Sequence, residues 1–280
     1  MGNHINNTAI IREMENKYLE SYKKQNLRAC QLKQAGILDE IVRICERHNI
    51  DYWLDGGTLL GAVRHKGFIP WDDDIDVAMT KDGLAEFLSV AEKELPEYLR
   101  LFNPYLNRGK EPITKIRDLN SLLVEFGDDF SSDYDKGIYV DIFPFVPCPS
   151  ISNRMMSFIG KGASKSYSIL HAKHCYSARS FAEFFYFGFK FIVCRALWRI
   201  FSAVMPTGRY LSNTITNNGY GKRHLRESVF PLTTIEFEGK QYKAPADSDA
   251  YLKDLYGDYL QLPPEAKRKG HSFFFIPNLI

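Results

Sequence analysis

Cysteine is scarce in this sequence, and the few cysteines present are not spaced for cross-linking. The 280 residues contain five cysteines, and no two of them form a Cys-x-x-Cys pair. A secreted disulfide scaffold needs paired cysteines, so this composition indicates a reducing compartment. The first residues, MGNHINNTAI, also lack the apolar core of a secretory signal. Both absences predict a cytoplasmic protein, at most peripheral at the inner face of the membrane.

The sequence also lacks an excess of either charge. It has 36 Lys and Arg against 34 Asp and Glu, a formal net charge of +2. Because a protein that follows nucleic-acid phosphates needs a basic surface, no nucleic-acid partner is predicted. What is present is typical of a soluble globular protein: 45% hydrophobic and 25% charged residues.

Hydrophobic spacing alternates between helical and strand-like along the chain. Helices are predicted at 9–48, 59–63, 83–95, 151–205 and 247–256. Strands are predicted at 52–54, from Asp74 to Met79, twice within 112–126, at 137–143 and at 234–238. Residues 206–221 are predicted to form a loop. Pro144, Pro147 and Pro149 are expected to break any regular element and to mark a boundary.

Asp74 and Asp76 are the first candidate site residues. If both lie on one strand, their carboxylates emerge on the same face, while Ile75 and Val77 anchor the other face. Neighbouring carboxylates repel each other unless a cation lies between them. Hard cations such as Mg²⁺ or Mn²⁺ prefer oxygen ligands and leave positions open for phosphate oxygens. A solvated acidic turn is the alternative for this run alone.

Gly56, Gly57 and Thr58 are predicted to follow a short strand as a turn and to open a helix. Tandem glycines allow close backbone approach, and helix-start amides with a hydroxyl can bind phosphate oxygens. Alone this motif is weak, since many turns contain Gly-Gly. A strand, a Gly-Gly-Thr turn, a helix and then Asp-x-Asp form the core layout of the nucleotidyltransferase superfold. The predicted class is therefore α/β (α+β), with a mixed sheet flanked by helices and a helical insertion.

Asp141 is the third candidate carboxylate, because a charge within the apolar run 137–143 is costly to bury without a partner. It could complete the metal site or accept the proton of an acceptor hydroxyl. Lys115 and Arg117 on one strand face, and Arg64 two helical turns after Gly57, could neutralise phosphate charge. Ordinary ion pairs or a solvated edge strand remain the alternatives for these residues.

The stretches DGGTLLGAVR and IPWDDDID resemble the signature of the LicD family, which includes bacterial cholinephosphotransferases and the fukutin-related proteins. LYGDY at 255–259 and LPPE at 262–265 resemble the family's C-terminal segments. Family members often continue with paired histidines, whereas here His271 is followed by Ser272. Four segments are predicted along the chain: an N-terminal helical segment 1–48, a nucleotidyltransferase-like catalytic core 49–146, a helical, aromatic-rich insertion 147–221, and a C-terminal segment 222–280 that completes the catalytic domain.

The resemblance also implies a reaction. The donor would be CDP-linked, typically CDP-choline or CDP-ribitol, and the acceptor a hydroxyl of a lipopolysaccharide, a teichoic acid or another surface glycan. Asp74, Asp76 and Asp141 would hold Mg²⁺, and phosphocholine transfer would release CMP. Two alternatives stay open: nucleotidyl transfer from the same constellation, and a non-catalytic glycan- or membrane-binding module. An intact acidic and glycine set argues against the second alternative, because a binder has no need of a metal cluster.

The second half of the chain contains two further features. Residues 181–205 are very apolar yet interrupted by Lys190, Arg195 and Arg199. A spanning helix tolerates central cations poorly, so a peripheral amphipathic helix fits better, with a buried helix as the alternative. His171, His174 and Cys175, with Cys148 upstream, could form a zinc site, but ordinary packing is favoured because no Cys-x-x-Cys pair supports it.

Overall fold

A computed structural model describes residues 3–103, 113–126, 135–171 and 177–279, with side chains from residue 17 onwards. Its helices are α1 (Asn3–Arg47), α2 (Gly56–His65), α3 (Lys81–Glu94), α4 (Asn153–His171), α5 (Ala178–Val204), α6 (Arg226–Val229) and α7 (Ser248–Tyr256). Its strands are β1 (Tyr52–Leu54), β2 (Asp76–Thr80), β3 (Leu99–Phe102), β4 (Thr114–Asp118), β5 (Leu122–Glu125), β6 (Ile138–Cys148), β7 (Tyr210–Asn213), β8 (His224–Leu225), β9 (Thr233–Phe237), β10 (Lys240–Ala244) and β11 (Ser272–Ile276).

The main sheet is mixed and has the order β1-β2-β6-β4-β3, with β7 paired to β6 and β8 to β7. Among the described strands, β2 and β6 form the one parallel pair. Two small antiparallel sheets, β9–β10 and β5–β11, lie outside it. The predicted class, a mixed sheet flanked by helices with a helical insertion, is confirmed. The predicted division into four segments stays a prediction.

Pro144 and Pro147 do not break β6, so the expectation was wrong for these two prolines, whereas the strand does end directly before Pro149. The strand runs through Pro144 and Pro147 to Cys148. Pro144 is paired with β2 beyond the end of β4, and Pro147 is paired with β7 beyond the end of β2. Each proline therefore has a paired strand on one side only. On the other side no strand is paired, so the amide hydrogen that proline lacks costs no ladder hydrogen bond there.

The predicted loop 206–221 was also only partly right, because β7 lies within it and extends the main sheet. Leu211 and Ser212 at its centre are buried. The two runs predicted within 112–126 are present as β4 and β5. They pair with different partners, β4 with β3 and β6, and β5 with β11.

Helices α4 and α5 form the helical insertion. They share a separate small hydrophobic cluster that includes Cys148, Met156, Ile159 and Cys194. The larger core joins α1, α2, α3, α7 and the main sheet. Among the helices described, none combines the length and the apolarity required to cross a bilayer.

Candidate active site

The acidic run lies in a loop that leads into β2. The strand begins at Asp76, and residues 72–75 precede it, so the prediction that Asp74 also lies on the strand was wrong. The physical reason lies in α1. The side-chain amides of Gln31 and Gln34 donate to the carbonyl oxygens of Asp72 and Asp73 at 2.9 and 2.8 Å. Helix α1 therefore uses carbonyls that strand pairing would otherwise need, and holds the loop in place.

Asp73 points into the protein and ties this loop to the C-terminal tail. Its carboxylate accepts hydrogen bonds from the backbone amides of His271 and Ser272, the latter at 3.1 Å, and from the Ser272 hydroxyl. Asp73 is only 2% exposed. Its role is therefore to clamp the tail against the loop, which sets the position of the His271 side chain.

Asp72, Asp74 and His271 converge on one point. The His271 Nε2 atom lies 3.6 Å from Asp72 Oδ1 and 3.6 Å from Asp74 Oδ2. The three ligand atoms all lie within 4.8 Å of one another, and no other such group occurs among the residues described. Asp72 and His271 are not among the site residues predicted from the sequence. In the sequence, Asp72 could have been selected as the first residue of the Asp-Asp-Asp run, and His271 as the single histidine after the tail motif.

Asp76 and Asp141 stand opposite each other on the parallel strands β2 and β6. The Asp141 amide donates to the Ile75 carbonyl at 2.9 Å, which fixes this register. Burial raises the pKa of Asp76 well above its ordinary value, and the charges of Asp74 and Asp141 raise it further. Burial also raises the pKa of Asp141, while Lys115 opposes that rise.

The two loop carboxylates behave in the same way. Burial raises the pKa of Asp72 to about 6. Burial and the charge of Asp72 raise the pKa of Asp74 well above its ordinary value, while His271 lowers it. Burial disfavours the charge of all four acidic groups, and neighbouring carboxylates add to this effect at Asp74 and Asp76, an arrangement that a cation relieves. The site therefore has the chemistry of a divalent-cation site.

Gly56 and Gly57 provide the space for these carboxylates. Helix α2 begins at Gly56, so the turn predicted before the helix is already its first part. Gly56 has a φ of +51°, and a Cβ there would collide with Asp76 Oδ2. A Cβ on Gly57 would lie 2.8 Å from Asp72 Oδ2. The missing side chains therefore let the carboxylates lie against the helix N-terminus, whose amides favour negative charge.

Thr58 joins α2 to the acidic strand. Its buried hydroxyl oxygen accepts a hydrogen bond from the Asp76 amide at 2.8 Å. Before it, Asp55 caps the helix, and its Oδ1 accepts from the Gly56 amide and from the Tyr251 hydroxyl, each at 2.7 Å. The Gly-Gly-Thr motif therefore fixes the first turn of α2 against β2.

The predicted basic residues lie in different surroundings. Lys115 is buried, with its Nζ 3.2 Å from Asp141 Oδ1 and 3.0 Å from Glu125 Oε1. Arg117 lies over the Tyr139 ring, 4.8 Å from its centroid, and donates to the Gly137 carbonyl. The Arg64 guanidinium donates to the Tyr259 carbonyl in the tail at 2.9 Å. The structure thus brings Lys115 to the acidic cluster and engages Arg64 and Arg117 elsewhere.

An open cleft adjoins the acidic cluster at Gly56 and Asp76. Its cavity volume is about 90 Å³. Polar and aromatic side chains line it, including Asn213, Asn217, Asn218, Tyr220, Lys222, His224 and Tyr256. Sequence analysis missed these residues because they lie mostly in or just beyond the predicted loop. The Lys222 ammonium is the cation that this lining offers to an anionic ligand.

The candidate zinc group is only partly within the described structure. His174 and Cys175 lie outside the described residues. Cys148 is buried in the smaller hydrophobic cluster and contacts Met156, and the exposed His171 ring stacks on Tyr167 at 3.9 Å. Both described side chains are thus engaged in packing.

A mixed sheet carrying paired aspartates beside a glycine-started helix is the arrangement of a nucleotidyltransferase-like transferase. The family model described as LicD/FKTN/FKRP, nucleotidyltransferase domain, matches residues 49–184. The lipopolysaccharide cholinephosphotransferase LicD of Haemophilus influenzae is 30% identical over 262 residues, which cover 89% of this chain and 97% of that protein. The chain belongs to the LicD family, and it is an enzyme, a LicD-type phosphotransferase that transfers substituted phosphate groups.

Two further relatives match a shorter region. The ribitol 5-phosphate transferase FKRP of Homo sapiens is 49% identical over 112 residues, 38% of this chain and 19% of that protein. The uncharacterized protein RT0683 of Rickettsia typhi is 34% identical over 83 residues, 30% of this chain and 25% of that protein.

Proposed function

We propose that this protein transfers a phospho-alcohol group, phosphocholine, from a CDP-linked donor to a hydroxyl of a cell-surface glycan and releases CMP. The observation that carries this proposal is the meeting of Asp72, Asp74 and His271 within 4.8 Å, beside the Asp76–Asp141 pair. The named activity of the H. influenzae relative supports phosphocholine and a lipopolysaccharide-type acceptor. The ribitol-phosphate relative matches only a short region and supports the same reaction class.

The donor set fits a hard divalent ion, Mg²⁺ or Mn²⁺. Carboxylate oxygens dominate it. Burial raises the pKa values of Asp72, Asp74, Asp76 and Asp141, and neighbouring carboxylates raise those of Asp74 and Asp76 further, so the charged forms favour a bound cation. We propose Asp74, Asp76 and Asp141 as ligands, with Asp72 and His271 contributing from the loop side. When bound, such an ion neutralises charge on the transferred phosphate.

The chain's own residues supply the remaining functions. The acceptor oxygen would form a bond to the distal phosphorus, the bond from that phosphorus to the bridging oxygen would break, and CMP would carry away the electron pair. As the alternative to a ligand role, Asp141, whose Oδ1 lies 3.2 Å from Lys115 Nζ, would accept the hydroxyl proton. The backbone at Gly56 and Gly57 with Thr58, and Lys222 in the cleft, are proposed to hold the donor phosphates.

The acceptor glycan is proposed to be lipid-linked or part of the cell surface, and the protein to act at the inner face of the membrane. Residues 181–205 are proposed as its peripheral membrane contact. The basic side chains predicted to bind the donor are then proposed to have different roles. Lys115 orients Asp141, whereas Arg64 and Arg117 stabilise the tail and the sheet through the contacts described above.

The test uses the purified protein with Mg²⁺ and a panel of CDP-alcohols, with a glycan acceptor, and measures CMP. Release of CMP from CDP-choline that Asp74→Asn abolishes is the expected result. Pyrophosphate release from a nucleoside triphosphate would instead indicate nucleotidyl transfer and overturn the proposal. Unchanged ligand binding and unchanged cellular phenotype in Asp74→Asn would indicate a non-catalytic binding module.

A further inference from the structure

Helix α5 exposes a row of large apolar side chains. Phe181, Phe185, Phe189 and Ile192 are spaced by four, four and three residues, so they lie on one face of the helix. They are 67%, 58%, 71% and 66% exposed. We call these four residues, with Arg195 and Arg199 that continue the face, the α5 outer face. Such an exposed aromatic row marks a contact surface in a soluble protein.

The opposite side of the helix is already covered. Cys194 is fully buried, and its Sγ lies where a Cβ on Gly162 of α4 would approach to 2.8 Å. Phe191 and Trp198 are partly buried in the same cluster. The insertion therefore forms its hydrophobic cluster on the side of α5 that faces α4, and the α5 outer face is not required for folding.

The charge of the two helices is strongly one-sided. Helices α4 and α5 together contain seven Lys or Arg residues and one acidic residue, Glu183. The whole chain has an excess of only two positive charges. The rest of the chain is therefore net acidic, and the insertion is the part that attracts an anionic surface.

Two of these cations lie on the α5 outer face itself. Arg195 and Arg199 are exposed. Within the described part of the chain, the ion pair formed by this helix joins Arg179 to Glu183, so neither arginine is neutralised there. Aromatic side chains next to uncompensated arginines match the interface of a bilayer that contains anionic lipids, where rings enter the acyl boundary and guanidinium groups bind phosphates.

We propose that the α5 outer face docks the protein on an anionic lipid bilayer, with the helix lying parallel to the membrane surface. A second copy of the chain is a poorer occupant. A twofold contact through this face would bury Arg195 and Arg199 of each copy against a face that carries no acidic residue, so they would lose their hydration without a partner. The docking does not depend on the transfer reaction, and it is measured without substrate.

Helix α4 lies between the docked helix α5 and the cleft. Gly160 of α4 packs so closely on the following loop that a Cβ there would lie 3.0 Å from Gly221 Cα and 3.2 Å from the Asn218 carbonyl oxygen. Asn218 lines the cleft. A bilayer bound at α5 would therefore lie one helix away from the cleft wall, which suits an acceptor carried on a lipid.

The experiment is co-sedimentation of the purified full chain with phosphatidylcholine vesicles, with or without one quarter phosphatidylglycerol. We expect binding to the anionic vesicles that weakens with salt. Phe185→Ser/Phe189→Ser should weaken it about a hundredfold, since two buried rings are lost. Arg195→Glu/Arg199→Glu should weaken it at least about tenfold. Circular dichroism melting verifies that each variant is folded.

Matched controls make the same chemical changes elsewhere. Leu260→Ser/Leu262→Ser removes two exposed apolar side chains of the tail, and Lys81→Glu/Lys93→Glu reverses two exposed charges of α3. Both should bind as the wild type does. The proposal is overturned if the wild type stays in the supernatant, if binding ignores lipid charge, or if light scattering shows a dimer that Phe185→Ser/Phe189→Ser converts to a monomer.

Discussion

Asp76 and Asp141 are register partners on the parallel strands β2 and β6, although 65 positions separate them along the chain. Register partners on neighbouring strands project to the same face, so the two carboxylates are forced together. Burial raises the pKa of both carboxyl groups, and the charge of Asp141 raises the pKa of Asp76 further. The sheet therefore contains an unfavourable pair of carboxyl groups, and the proposed metal-dependent function explains why the pair is present.

Asp76→Asn should separate stability from activity. Removing one of the crowded charges should raise the melting temperature in EDTA by about 3 °C, while the rate of CMP release falls about a thousandfold. Differential scanning fluorimetry and the CMP assay measure both. Asp258→Asn, at an exposed position of the tail, is the control and should change neither. A lower melting temperature for Asp76→Asn would contradict the account of repulsion.

Stability in EDTA should fall as the pH rises from about 4 to above 6. The pKa of Asp72 is about 6 in the folded protein, above its ordinary value of 3.8. A carboxyl with a raised folded pKa stabilises the protein below its unfolded pKa, and this contribution is lost as pH rises through the folded pKa. Asp74 and Asp76 add to this loss, because their pKa values are raised in the same direction.

Mg²⁺ should reverse this trend, because the ion binds the deprotonated carboxylates. The increase in melting temperature on adding Mg²⁺ should therefore be larger at pH 7.5 than at pH 5. Asp74→Asn/Asp76→Asn should show a smaller pH slope in EDTA and a smaller Mg²⁺ effect. Equal Mg²⁺ effects at both pH values would disprove the role of these carboxylates.

His271→Ala should weaken metal binding, whereas Ser272→Ala should lower stability. The His271 imidazole is 64% exposed and lies 3.6 Å from Asp72 and Asp74, so its loss should weaken Mg²⁺ affinity about tenfold or more with little effect on folding. Ser272→Ala removes a buried donor to Asp73 and should lower the free energy of unfolding by about 2 kcal/mol. Mg²⁺ titration and urea unfolding measure the two effects, and similar effects in both variants would refute this division.

Gly56→Ala should be damaging because a methyl group at φ +51° would collide with the Asp76 carboxylate. We expect a loss of about 2 kcal/mol in unfolding free energy and at least about a hundredfold in CMP release. Gly36→Ala in α1 is the matched control. A Cβ there meets nothing within 4 Å, and it should stabilise the protein by about 0.5–1 kcal/mol. Normal activity in Gly56→Ala would show that the close approach is unnecessary.

Lys115→Met should leave the buried Asp141 carboxylate without its cationic partner. Lys115 is 3% exposed and pairs with Asp141 and Glu125, so its removal should lower the unfolding free energy at pH 7.5 by about 3 kcal/mol. The deficit should shrink as the pH falls, because burial raises the pKa of Asp141 and favours its neutral form. Lys93→Met, an exposed change on α3, should have little effect. A deficit independent of pH would indicate lost packing alone.

Local sequence patterns predicted most of the elements but could not predict which strands pair. The helical spacing of α1 and α3 and the short strand β1 are local properties, because each depends on residues close in the chain. The continuation of β6 through Pro144 and Pro147 depends on where β4 and β2 end. That information lies in the assembled sheet and not in the strand itself.

The candidate site was predictable to a similar extent. Asp76 and Asp141 could be selected because each is a charge next to or within an apolar strand. Asp72 and Asp73 have identical side chains and adjacent positions, yet one joins the cluster and the other clamps the tail. Their division of roles depends on Gln31, Gln34 and Ser272, which are distant in sequence.

The Asp73–Ser272 contact joins positions 199 residues apart. During synthesis, the acidic loop leaves the ribosome long before the tail that secures it. The nascent chain therefore holds a crowded set of carboxylates without the His271 side chain for most of its translation. The complete set of candidate metal-binding side chains therefore exists only after nearly all of the sheet has been made.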